Sequence, residues 1–142
     1  MGWIEELRRK NQTTSQPQDQ FAEAARRRWA ELGDELKADV TEFNNRGEDA
    51  EFSRLAENRY QVRNPSAGLQ LDMIADIQER VVRYDYSVLS NASKGVPEGG
   101  MLSIRQSRSG GADFYSSDER LTSEEARQVL LEPVLFPPQM AA

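Results

Sequence analysis

A chain of 142 residues, 37% hydrophobic and 30% charged, has material for one modest core and not for two. Its net charge of -6 sets it against phosphate backbones and anionic lipid surfaces, so neither nucleic acid nor a membrane is expected as a partner. With no histidine and no cysteine it lacks the commonest general base, the commonest transition-metal ligand, thiolate chemistry and disulfides, so no metal or other cofactor is expected and a non-catalytic role is favoured.

The first segment, residues 3–10, can form two helical turns with Trp3, Ile4 and Leu7 on one side and Arg8, Arg9 and Lys10 following, where cations suit the helix dipole. Residues 11–18 are Gln/Thr/Ser-rich, contain Pro17 and carry no apolar side chain, which predicts a connector. Residues 1–18 therefore read as a flexible arm ahead of a single domain over 19–142. Trp3, Ile4 and Leu7 make that arm either a loosely docked terminus or a peptide that binds a second subunit or another protein. No apolar run approaches the roughly 20 residues that span a bilayer, and the opening residues lack the pattern of a signal peptide, so a cytoplasmic location is expected.

From Asp19, a good N-cap, the apolar residues Phe21, Ala25, Trp29, Leu32, Leu36, Val40 and Phe43 recur at steps of 4, 4, 3, 4, 4 and 3. That spacing averages 22 residues over six turns, a period of 3.67, which predicts a nearly straight amphipathic helix and disfavours a leucine zipper. Asn44, Asn45 and Gly47 supply its stop. Arg26, Arg27 and Arg28 are interleaved with Glu23, Glu31, Asp34 and Glu35 and read as a solvated face of ion pairs. Gly33 costs about 1 kcal/mol relative to Ala inside a helix and would permit close approach of another element.

Beyond Gly47 the period changes to alternation. Residues 52–57 and 59–64 read as one bent strand or two, 64–68 as a turn, and 69–77 as a strand with Leu69, Leu71, Met73 and Ile77 on one side. In residues 80–89, Val82, Tyr84, Tyr86 and Val88 share one face while Arg83, Asp85 and Ser87 share the other. After a polar loop over 90–100, residues 101–106 and 113–117 complete an antiparallel meander of four or five strands. Thr122 and Glu125 form a capping box for a short helix with Ala126, Val129 and Leu130 inward, expected to end before Pro133. The apolar tail 134–138 either packs along the core edge or offers a partner an apolar strip.

The fold class is α+β: a long N-terminal helix packed on the sheet, with a short C-terminal helix. A helix of about 25 residues is roughly 38 Å long and overhangs such a sheet. The sheet must then curl round it, or the projecting turns meet a second copy, and a homodimer is expected. No phosphate loop, dinucleotide fingerprint or nucleophile elbow is present. The polar face of the sheet collects Arg63, Gln70, Asp72, Arg83, Asp85, Ser103 and Arg105. It reads as a wet face of cross-strand ion pairs, or as a site where Arg63, Arg83 and Arg105 hold an anion, with Asp72 and Asp85 as a remote acid and base pair. The function expected is a non-catalytic protein-interaction or adaptor domain, the alternative being a domain that binds a small anionic ligand.

Overall fold

The computed structural model describes residues 3–89 and 96–137, with side chains from Gln20 onward. Helix α1 (Trp3–Asn44) is followed by strands β1 (Glu51–Ala56), β2 (Arg59–Asn64), β3 (Leu69–Asp76), β4 (Val81–Val88), β5 (Gly100–Gln106), β6 (Ala112–Ser116) and β7 (Glu119–Leu121), then helix α2 (Ser123–Leu135). The strands form one antiparallel meander in chain order. The α+β layout is as the sequence predicts, but the sheet has seven strands rather than four or five. A turn at Glu57 and Asn58 divides β1 from β2. Strand β7 has three residues, too few to display alternation, and follows a turn in which Ser117, with φ of 56°, does what glycine usually does.

α1 is one element where the sequence predicts a short helix, a connector and a second helix. A helix already nucleated gains a backbone bond for each residue added, so a polar stretch need not interrupt it. The side chains of Trp3, Ile4 and Leu7 lie outside the described residues, as do residues 90–95 of the polar loop and residues 138–142.

The seven-residue stripe of α1 is the centre of the core: Phe21, Ala25, Trp29, Leu32, Leu36 and Val40 are buried, and Phe43 is partly buried. Alternate strand residues, including Tyr60, Val62, Leu71, Met73, Val82, Leu102, Ile104 and Phe114, meet them. The Arg28 guanidinium sits 5.1 Å over the Phe114 ring on β6, while the adjacent Trp29 stacks on Tyr60 of β2 at 4.0 Å. Strands β2 and β6 would be about 19 Å apart in a flat sheet, so both reach neighbouring residues of one helix only because the sheet curls round α1. Both helices lie on its concave side, and the polar face is convex.

At Gly33 the helix meets the sheet closely: a Cβ there would stand 2.6 Å from the Tyr60 ring. Tyr60 and Trp29 are stacked within 5° of parallel; the Tyr60 hydroxyl donates to the Trp29 carbonyl at 2.9 Å, and Trp29 Nε1 donates to the Glu57 carbonyl at 2.8 Å. Burial raises the Tyr60 hydroxyl pKa above its ordinary value, keeping it a donor.

α2 continues through Pro133 instead of stopping before it. Proline has no N–H for the Val129 carbonyl four residues back. The Tyr86 hydroxyl, reaching in from β4, has one proton, which it shares between the Leu130 carbonyl at 2.8 Å and that of Val129 at 3.3 Å. Burial, then the neighbouring Tyr84, push its pKa well above the ordinary tyrosine value, so it stays protonated. The buried Asn64 on β2 donates to the Val134 carbonyl at 2.9 Å and so caps the helix end. Tyr86→Phe should cost about 1–3 kcal/mol by leaving the part-buried Val129 carbonyl unpaired, and clearly less in a Pro133→Ala background, where the helix regains its own N–H. Urea unfolding of the four proteins in that cycle checks this; equal costs in both backgrounds would refute the compensation.

Candidate functional site

The arginines expected to gather on the polar face do share it. Register places Arg63 opposite Gln70, Asp72 opposite Asp85, and Arg83 opposite Ile74 and Met101, with Ser103 and Arg105 further along β5. They do not converge. Arg63 and Arg105 sit at opposite ends of the strands, about 25 Å apart along the strand direction, and the convex curvature splays them further. Arg83 pairs with Asp76 at 3.7 Å; Arg105 pairs with Asp118 at 3.0 Å and lies 4.5 Å over the Tyr115 ring. Asp72 accepts from Gln61 at 3.0 Å and Gln70 at 2.8 Å. Asp72 and Asp85 face each other across β3 and β4 on an outward-curving surface that excludes no water, so this geometry gives an acid and base pair no enclosed substrate. A small anion there touches one arginine at a time.

A concavity with an apolar lining lies elsewhere, between the C-terminal half of α1 and α2. The capping box opens α2: Glu125 N–H donates to Thr122 Oγ1 at 3.1 Å and Thr122 N–H to Glu125 Oε1 at 2.9 Å. That turn is fastened to α1 by polar contacts. The Ser123 hydroxyl donates to Glu35, which Arg28 of the same helix α1 holds at 3.0 Å, and Arg127 Nη1 donates to Asp39 at 2.8 Å. Past these ties the two helices enclose a groove of about 550 Å³.

Its apolar lining is Phe43, Leu131, Leu135 and Phe136. Phe136 packs edge-on against Phe43 at 5.3 Å yet is 65% exposed. Around these stand five carboxylates, Asp39, Glu42, Glu48, Glu124 and Glu132, against two guanidiniums, Arg46 and Arg127, the second already held by Asp39. The groove therefore joins an apolar floor to an acidic rim. From Glu124 to Phe136 the α2 wall is about 18 Å long.

The apolar tail beyond Pro133 thus does two things: Val134 and Leu135 are buried at the core edge, while Phe136 faces the groove. The rim acids Glu42, Glu124 and Glu132 were not candidates in the sequence; only the assembly of α1 against α2 brings them together. Among the described residues, no group of acidic side chains is arranged to hold a metal ion, and no helix is long and apolar enough to cross a membrane. The chain matches no protein-family model, and no significant similarity links it to a curated protein or to a solved structure.

The carboxylates that fasten α2 titrate in opposite senses. At Glu35, burial raises the pKa, but the Ser123 hydroxyl and the Arg28 guanidinium outweigh it, and the value is lowered from 4.5. At Asp39, burial prevails over Arg127 and the value is raised from 3.8. A lowered folded-state pKa stabilises above the unfolded value and is lost as pH falls; a raised one stabilises at low pH and is lost as pH rises. Glu35→Gln should therefore flatten the acid-side loss of stability below pH 4.5, while Asp39→Asn should not. Thermal unfolding between neutral and acid pH checks it, and an unchanged slope in Glu35→Gln would contradict the assignment.

Proposed function

We propose that this chain is a non-catalytic protein-interaction domain that receives a basic amphipathic helix in the groove between α1 and α2. The observation that carries this reading is the apolar floor, Phe43, Leu131, Leu135 and Phe136, set within a rim rich in carboxylates. A helix docked in a groove is held by apolar anchors three and four residues apart, and its flanking lysines and arginines meet opposite charge at the edge. The floor supplies affinity by removing apolar surface from water; the rim sets orientation and speeds encounter. The exposed ring of Phe136 is the natural anchor point, since covering it removes apolar surface the fold leaves wet.

A fluorescently labelled helical peptide of leucines and lysines, with leucines at three- and four-residue spacing, tests this with the full chain. Binding should weaken with added salt and fall at least about tenfold in Phe136→Ala, the equivalent of losing about 1.4 kcal/mol of apolar burial. A scrambled peptide of the same composition should bind far less. Equal binding of both peptides, or binding indifferent to Phe136→Ala, would overturn the reading.

A further inference from the structure

Resting on that reading of the groove, we propose that its occupant is the segment Trp3–Lys10 of a second copy of this chain, so that two copies exchange these segments about a twofold axis. The segment has the chemistry the groove asks for. In sequence, Trp3, Ile4 and Leu7 have the spacing that puts three apolar residues on one side of two helical turns, and Arg8, Arg9 and Lys10 follow as three consecutive cations. The groove offers aromatic and aliphatic surface to the first set and Glu42, Glu48, Glu124 and Glu132 to the second. Tryptophan and arginine are the residues that most often carry the energy of an interface, and here they would meet Phe136 and the rim.

The donor must be another molecule. α1 runs as one helix over Trp3–Asn44, and at 1.5 Å per residue about 50 Å of helix separates Lys10 from Phe43. While that helix is intact, the segment cannot return to its own groove. A second copy brings its segment to the groove from outside and presents its own groove to the first, an isologous closed exchange that buries two segments and stops at the dimer.

Light scattering of the full chain across a concentration series, with paired charge reversals, tests the exchange. The unaltered chain should give twice the monomer mass of 16.1 kDa, with a dimer that weakens as salt is added. Arg8→Glu with Arg9→Glu should raise the dimer dissociation constant at least about tenfold, and Glu42→Lys with Glu132→Lys should do the same. All four together should restore the dimer, because the charges then match in reverse. The altered groove residues are exposed, so loss of the fold does not explain a monomer. A chain that stays monomeric while the leucine–lysine peptide still binds would overturn the exchange and leave the groove reading standing. A dimer indifferent to both reversals, or one not restored by their combination, would overturn it as well. Failure of both dimer and peptide would overturn the two readings together.

Discussion

A tyrosine ring pressed against a helix where the helix has only a glycine decides how the long helix sits in its sheet. Gly33 lets the Tyr60 ring lie where any side chain would collide with it, and Trp29, one turn earlier, stacks on the same ring. Two hydrogen bonds run in opposite senses across this contact, from the tyrosine hydroxyl to the backbone of α1 and from the tryptophan indole to the turn between β1 and β2. Arg54 covers the ring from outside and reaches Asp34. The intrinsic helix cost of glycine, about 1 kcal/mol, is offset by aromatic surface buried on both partners. Rotation and height of α1 are both set here. Arg28 then meets β6, and Glu35 and Asp39 meet α2, so the groove depends on a contact far from it.

The second helix is held by side chains from the sheet acting on its backbone. Pro133 strands the Val129 carbonyl, which shares the Tyr86 hydroxyl with Leu130; Asn64 takes the Val134 carbonyl at the end of the same helix. These bonds keep Leu131 and Leu135 oriented as one wall of the groove while Phe136 turns outward. A stop before Pro133 would have taken Leu135 and Phe136 out of that wall. The groove thus exists because two buried polar residues of the sheet let a helix continue past a residue that would otherwise end it.

Much of this arrangement was legible in the residues. The stripe from Phe21 to Phe43 named both the helix and its buried face, because a period near 3.6 has one structural meaning. The alternation in β3 and β4 gave Leu69, Leu71, Met73, Val82 and Tyr86 as inward, since side chains on a strand have no third choice. It passed over the buried Ala75 and put on the inner face Val88, which is exposed at the strand end, and Ile77, which lies past β3. What failed to show depended on contacts distant in sequence. Pro133 reads as a stop unless Tyr86 is known to lie beside it, 47 positions away. Strand β7 carries no pattern because three residues cannot alternate convincingly. The arginines of the convex face looked like a cluster because parity reports which face a residue occupies and nothing about its place along the strand. The rim acids of the groove come from two helices and a loop, and no local spacing marks them.

The stability of Gly33→Ala tests the central contact most directly, because two physical effects give it opposite signs. In a helix free to accept a methyl group, alanine adds up to about 1 kcal/mol. Tyr60 is buried, stacked and hydrogen-bonded, so it has no easy way to withdraw from the new Cβ. Urea unfolding of Gly33→Ala should therefore show a loss of about 1–3 kcal/mol, the usual cost of overpacking. A gain in stability would mean that the ring does not press on the helix at Gly33 and that α1 is positioned by something else.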